Sequence, residues 1–136
     1  MKTLVAGLVV FTLLTARADA ADVTQTFGAS VDRVWNVTLA VLKQLGWDID
    51  KDDRSIGWIT TDSRRVEGED YGVYAKGIRH RLRIHMKAVD NARTTVTVER
   101  SVFERERILF IDNDKPVTAK DQEVEKSVLA AIGRSL

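Results

Sequence analysis

The chain has 136 residues, and its 21 basic and 20 acidic side chains nearly cancel. This length fits one domain behind a short leader, and the charge balance argues against a general nucleic-acid binder, which usually carries an excess of Lys and Arg. The sequence contains no cysteine, which excludes disulfides, thiolate metal sites, cysteine nucleophiles and lipid attachment to a cysteine.

The first twenty residues have the pattern of a secretory signal peptide. Lys2 supplies a positive charge, the apolar run LVAGLVVFTLL follows, and Ala18-Asp19-Ala20 has the small-x-small form of a cleavage site. The apolar run is much shorter than the ~20 residues of a membrane-spanning helix, so cleavage between Ala20 and Ala21 is favoured over an uncleaved N-terminal anchor. We therefore expect a signal peptide over residues 1–20 and a periplasmic or secreted domain, without net charge, over residues 21–136.

The mature chain begins with a strand and a helix. The segment ADVTQTFGAS predicts a short first strand. Ser30 is a suitable N-cap, and Asp32 lies in the first helical turn, where the helix dipole favours a negative charge. From Val31 to Leu45 the apolar side chains occupy one wide arc, which predicts an amphipathic helix that ends at Gly46 in a left-handed conformation.

After the helix the pattern changes to a period of two. Two alternating runs around the polar segment KDDRS predict a β-hairpin over residues 47–60. Residues 62–77 carry three glycines among many charges, which predicts a long mobile connection. We expect Trp35 of the helix and Trp58 of the hairpin to be buried between helix and sheet, together with Val41, Leu45, Ile49, Leu82 and Ile84.

The segment RHRLRIHMK, residues 79–87, has a basic side chain at every second position. Because strand side chains alternate between faces, its apolar residues can pack beneath the helices while Arg79, Arg81 and Arg83 face outward. Two interpretations stay open: a solvated face whose charge is balanced by acids of the next strand, or an exposed face that binds an acidic partner or anionic headgroups. TTVTVERSVFERER predicts the neighbouring strand, and ILFIDN either extends it or forms a further one.

The C-terminal segment predicts a second helix. Thr118 and Asp121 fit an S/T-x-x-D/E helix start, and an apolar stripe continues from Val124 to Leu136. The order strand, helix, several strands, helix predicts an α+β fold in which both helices pack on one face of an antiparallel sheet.

The sequence has no recognisable catalytic signature. The patterns G-x-S-x-G and H-E-x-x-H and a phosphate-binding glycine loop do not occur. The two histidines, His80 and His85, are five residues apart and would lie on opposite faces of a regular strand. We therefore predict no enzymatic activity, no metal site and no cofactor.

Two longer segments resemble a known family. VWNVTLAVLKQLGWDIDKDDRSIGWITTD resembles the BamC (NlpB/DapX) lipoproteins of the outer-membrane β-barrel assembly machinery. RHRLRIHMKAVDNARTTVTVERSVFERE resembles the next two strands of that family. The resemblance implies one helix-grip domain over residues 24–134, without the family's lipidated cysteine, long N-terminal segment and second domain. The matching elements are Val34-Trp35, Leu42, Trp47-x-Ile49, Asp52-Asp53 and GWITTD.

These observations predict an exported, soluble, non-enzymatic module that binds protein in the cell envelope, with no stable membrane anchor and no nucleic-acid partner. The alternative is a carrier of a small hydrophobic ligand or lipid, in a helix–sheet cavity lined by the three tryptophans. Tyrosine and arginine are enriched in binding hot spots, so the expected surface joins the segment 62–77 to the start of the basic strand. The candidate partner-binding residues are Tyr71, Tyr74, Arg64, Arg65, Arg79, Arg81 and Arg83.

Overall fold

A computed structural model describes residues 22–136, so the expected signal peptide lies outside the described residues. These residues form a mixed α+β fold with one antiparallel sheet of seven strands and two helices. The helices are α1 (Val31–Gln44) and α2 (Glu123–Ser135). The strands are β1 (Val23–Phe27), β2 (Ile49–Asp53), β3 (Trp58–Thr61), β4 (Arg64–Asp70), β5 (Tyr74–Asp90), β6 (Arg93–Ile108) and β7 (Ile111–Pro116).

Strands β5 and β6 form one long hairpin in the middle of the sheet. Near their connecting turn, β1 pairs with β6, while β3 and then β2 extend the sheet beyond β5. Towards the other end, β4 pairs with β5 and β7 pairs with β6. We call residues 81–90 and 93–101 the core half of the hairpin, and residues 74–80 and 102–108 the outer half.

Both helices pack on the same face of the core half. Leu82 and Ile84 of β5 and Val98 of β6 are fully buried beneath them, and no comparable layer covers the outer half within the described residues. We call the other face of the sheet the open face. The largest fully buried apolar side chains are Val34, Val41, Leu42, Ile59, Leu82, Ile84, Val96, Val98, Val128, Leu129 and Ile132.

The first strand, the first helix and the hairpin after it are confirmed. The side chain of Ser30 accepts a hydrogen bond from the backbone N–H of Arg33 at 3.4 Å, as an N-cap does. Gly46 has φ +84°, the left-handed conformation expected after the helix. Trp35, Val41, Leu82 and Ile84 are buried as predicted, whereas Ile49 is half-buried and Leu45 is exposed.

The prediction that Trp58 is buried is wrong. Its side chain is 37% exposed on the open face, because Ile59 and Thr61 are the β3 residues that face the helices. Gly57 fixes this arrangement: its carbonyl oxygen accepts the backbone N–H of Met86 at 2.8 Å, and a Cβ there would collide with the Met86 backbone. The third tryptophan, Trp47, is buried in the core instead.

The prediction of a mobile connection over residues 62–77 is also wrong. This segment contains β4, a short turn and the start of β5. Gly68 and Gly77 are paired across the two strands, and a Cβ on either one would collide with the opposite backbone. These glycines therefore permit a close approach of two strands, which composition does not distinguish from loop flexibility.

The C-terminal strand and helix begin at residues other than those predicted. The helix start predicted at Thr118 is wrong, since α2 begins at Glu123, where Asp121 Oδ1 accepts the Glu123 backbone N–H at 3.1 Å. Residues 111–116 form the separate strand β7, which was one of the two alternatives for ILFIDN. A two-residue turn, Leu109-Phe110, connects β6 to β7.

A buried ion pair connects α2 to β6 at the boundary between the two halves of the hairpin. Arg100 Nε lies 2.7 Å from Glu125 Oε1, and their side chains are only 6% and 1% exposed. The two atoms are misaligned for a regular hydrogen bond, but Arg100 Nη2 also donates to the Asp121 carbonyl oxygen at 2.7 Å. Burial raises the pKa of Glu125, and the Arg100 charge opposes that shift.

The packing of Trp35 gives a first prediction. Trp35→Ala removes a large buried side chain between α1 and the sheet and should lower the free energy of unfolding by about 3–5 kcal/mol. Urea unfolding followed by circular dichroism measures this change. An unchanged unfolding midpoint would contradict the packing described for α1.

The ion pair gives a second prediction. Arg100→Met alone leaves the Glu125 carboxylate buried without its counter-charge and should destabilise the fold by about 3–5 kcal/mol. The double variant Arg100→Met/Glu125→Leu should recover most of that loss, because no uncompensated buried charge is left. A double-mutant cycle from urea unfolding measures the coupling. Additive losses in the two single variants would show that the two side chains do not act as a pair.

Candidate functional site

The seven predicted partner-binding residues do not form one surface. Arg64 lies on the helix side of β4, where its Nη1 donates to the Leu45 carbonyl oxygen at 2.9 Å and its guanidinium lies 3.8 Å from the centre of the Trp47 ring. Burial there lowers the pKa of Arg64. This arginine therefore connects β4 to the end of α1 and has a structural part in the fold.

Arg65 and Arg79 lie side by side on the open face, and both have partners in the protein. Arg65 Nη1 is 3.8 Å from a carboxylate oxygen of Asp70. Arg79 donates from Nε to Ser63 Oγ at 2.9 Å and from Nη2 to the Ser63 carbonyl oxygen at 2.8 Å. These bonds fix the position of the Arg79 side chain at the boundary between the two halves of the hairpin.

Arg81 and Arg83 have no acidic partner within 4 Å among residues 22–136 and instead contact aromatic rings. The Arg81 guanidinium carbon lies 5.7 Å from the centre of the Phe103 ring. That of Arg83 lies 5.5 Å from the Trp58 ring, which also contacts His85 at 5.0 Å between ring centres. These distances are typical of cation–π contacts. We call Arg79, Arg81 and Arg83 with Trp58 and Phe103 the arginine face.

Among the described residues, the ion-paired arginines on the open face of the outer half belong to β4 and β6, not to the basic strand. Arg105 makes a two-pronged contact with Asp114, at 2.7 and 3.0 Å, which lowers the pKa of the Asp114 carboxyl. Arg107 Nη2 donates to Asp70 at 3.0 Å. Glu99 is paired across the strands with Arg83, but no ion pair joins them among the described residues. The interpretation in which acids of the next strand balance the basic strand therefore has no ion pair at Arg79, Arg81 or Arg83 within residues 22–136 to support it.

Tyr71 and Tyr74 lie at the far end of the outer half, where two hairpin turns meet. The Leu109 backbone N–H in the β6–β7 turn donates to the Val73 carbonyl oxygen in the β4–β5 turn at 2.6 Å. Around this contact the side chains are exposed, and that of Phe110 is 99% exposed. We call this group the apolar end, and its members are Tyr71, Val73, Tyr74, Ile108, Leu109, Phe110 and Ile111.

Sequence reasoning missed the apolar end, although a signal was present. ILFI is a run of four apolar residues between the charged segments ERER and DNDK, at a position where a hairpin turn normally has polar residues. The run was interpreted as a strand, and Tyr71 and Tyr74 were connected to the basic strand instead. The structure brings the two tyrosines next to ILFI, several residues along β5 from Arg81.

The tryptophans do not line a common cavity of the kind expected for a ligand carrier. Trp35 and Trp47 are packed into the core, and Trp58 lies on the other side of the sheet. A groove of about 450 Å³ is found on the helix side of the outer half, lined by Ile78, His80 and Val117 among others. Burial and the nearby Arg100 lower the pKa of His80 at its edge.

Neither α1 nor α2 has the length and hydropathy needed to cross a bilayer. The His, Asp and Glu side chains of residues 22–136 form no group of three or more that could hold a metal ion. No protein-family model matches the chain, and no curated protein matches it either. The resemblance to BamC and the expected export therefore stay predictions.

Proposed function

We propose that the protein is a non-enzymatic module that binds another protein through its apolar end. The observation that carries this proposal is the contiguous group of exposed apolar side chains at the two adjacent turns, with Phe110 almost completely in solvent. Large contiguous apolar patches are uncommon on proteins that act alone and usually mark interaction sites. Tyr71 and Tyr74 at the edge of the group belong to a residue type enriched in binding hot spots.

The charges around the apolar end favour a protein partner over a lipid bilayer. Anionic headgroups attract surfaces with an excess of Lys and Arg. The basic side chains near the apolar end are instead paired with carboxylates. Arg107 contacts Asp70, and Lys76 lies 3.7 and 3.9 Å from Glu104 and Glu106. A neutral, paired rim around an apolar centre is the usual composition of a protein–protein interface.

The backbone of the β6–β7 turn supports a role in binding. Leu109 has φ +59° at the first central position of a two-residue turn, where glycine is preferred. A leucine in this conformation costs about 1–2 kcal/mol, and its side chain is exposed, so it contributes little to the core. Departures from local sequence preferences tend to occur at functional sites.

The setting proposed for this module is the cell envelope. The order strand–helix–strands–helix and the packing of two helices over one sheet face are consistent with a helix-grip domain of the BamC type. In this proposal the signal peptide directs export, and the outer half carries the apolar end away from the core half. A ligand carrier is the less favoured function, because the space between helices and sheet is filled by side chains.

Site-specific photocrosslinking tests the proposal. A photoreactive phenylalanine analogue replaces Ile111 in the full chain, expressed in the native host, and should form a covalent adduct with one protein of defined mass. The double variant Leu109→Gly/Phe110→Asn should abolish that adduct. Its melting temperature should stay equal or rise, because glycine accepts the positive φ of position 109.

The control carries the same probe at Val89, a half-exposed apolar position near the opposite end of β5, and should give no adduct. Three results would contradict the proposal: no protein adduct at position 111, an adduct that persists in the double variant, or adducts with lipid alone. The last result would assign the apolar end to a bilayer.

A further inference from the structure

The arginine face is a second surface, separate from the apolar end, and the apolar end does not explain it. Arg79, Arg81 and Arg83 are alternate residues of a central strand, on the face that the helices leave uncovered. Arg81 and Arg83 retain their full complement of N–H donors, since neither makes a hydrogen bond or an ion pair within residues 22–136. These two guanidinium groups can therefore bind an anionic partner without breaking an existing hydrogen bond or ion pair.

The aromatic contacts organise these cations for binding. An exposed arginine side chain has many rotamers, and ordering it on binding costs conformational entropy. Phe103 and Trp58 limit this freedom, because the guanidinium carbons of Arg81 and Arg83 lie 5.7 and 5.5 Å from the centres of these rings. The Phe103 ring also contacts Arg105, at 5.5 Å. Arg79, which forms one column with Arg81 and Arg83 along the strand, is held by its hydrogen bonds to Ser63. Each guanidinium group can then donate two parallel hydrogen bonds to the two oxygens of one carboxylate.

The spacing of the three arginines along the strand indicates that the partner is an extended chain. Same-face residues of a β-strand repeat at about 7 Å, which is two steps of the strand rise. The side chains of an extended peptide repeat at the same interval on each of its faces. An extended segment with Asp or Glu at every second position can therefore place successive carboxylates over Arg79, Arg81 and Arg83.

We infer that the arginine face is a binding site for an extended acidic protein segment whose carboxylates occupy alternate positions. The complementarity is local, because Arg105 and Arg107 on the neighbouring strand are already paired with Asp114 and Asp70. Hydroxyl groups next to the column add neutral donors: Ser101 is paired with Arg81, and Thr60 with Arg83. Binding at the arginine face does not require a partner at the apolar end.

Fluorescence titration with synthetic peptides tests the inference. Of the three tryptophans only Trp58 is substantially exposed, so it reports events on this face. The first peptide has about twelve residues with Glu and Thr alternating. The second has the same composition arranged as alternating Glu-Glu and Thr-Thr pairs, so that the carboxylates on either face of the extended chain are about 14 Å apart. The alternating peptide should bind at least about tenfold more tightly, because only its carboxylates match the column when it is extended.

Charge-removing variants separate the arginine face from the overall charge of the protein. Arg81→Gln/Arg83→Gln should weaken binding of the alternating peptide by about tenfold or more, with an unchanged melting temperature. Arg33→Gln/Lys43→Gln removes the same charge from the exposed surface of α1 and should leave the affinity nearly unchanged. The apolar-end variant Leu109→Gly/Phe110→Asn should also bind the peptide normally, so failure of one proposal is distinguishable from failure of the other.

Three results would overturn the inference. Equal affinity for the two peptides would show that carboxylate spacing is not recognised. Equal affinity for single-stranded DNA of the same charge would identify a general polyanion surface. An equal loss in the α1 variant would show that net charge, and not Arg81 and Arg83, controls the interaction.

Discussion

Two helices of 14 and 13 residues lie on one face of a hairpin whose strands have 17 and 16 residues, and this difference in length leaves the outer half of the hairpin uncovered. At 1.5 Å per residue α1 is about 21 Å long, whereas β5 at 3.3 Å per residue extends for about 56 Å. The helices therefore cover the core half and leave the outer half with solvent on both faces. The apolar end is a consequence of this incomplete cover, whereas the arginine face is free because both helices pack on the opposite face of the sheet.

The two halves of the hairpin are stabilised by different interactions. The core half buries alternating apolar side chains beneath the helices, and this burial supplies most of the stability. The outer half depends on strand pairing and on exposed ion pairs such as Arg105–Asp114, which individually contribute little. Arg100 and Glu125 lie at the boundary, where the buried pair holds the start of α2 on β6. Beyond this pair no helix of the described residues continues over the sheet.

The covered half could be predicted from the sequence, and the uncovered half could not. The 3.6-residue period of α1 and the alternation of β5 reflect burial on one side, so they were visible as patterns. In the outer half both faces are exposed to solvent, so β4 shows no alternation of apolar and polar residues, and Gly68 and Gly77 look like the glycines of a loop. Trp58 was misplaced because an aromatic residue on an open face does not differ, in sequence, from one in a core. Arg81 and Arg83 were assigned to the correct face, but their aromatic contacts depend on strand register, which the sequence does not reveal.

Residue-resolved amide hydrogen exchange along β5 and β6 tests the central claim most directly. If the core half alone is held by the helices, its amides should exchange only through global unfolding. Those of residues 74–80 and 102–108 should exchange through local opening, at a free energy lower by at least about 2 kcal/mol. Equal protection along the full length of both strands would contradict the division into a core half held by the helices and an outer half that the helices do not cover.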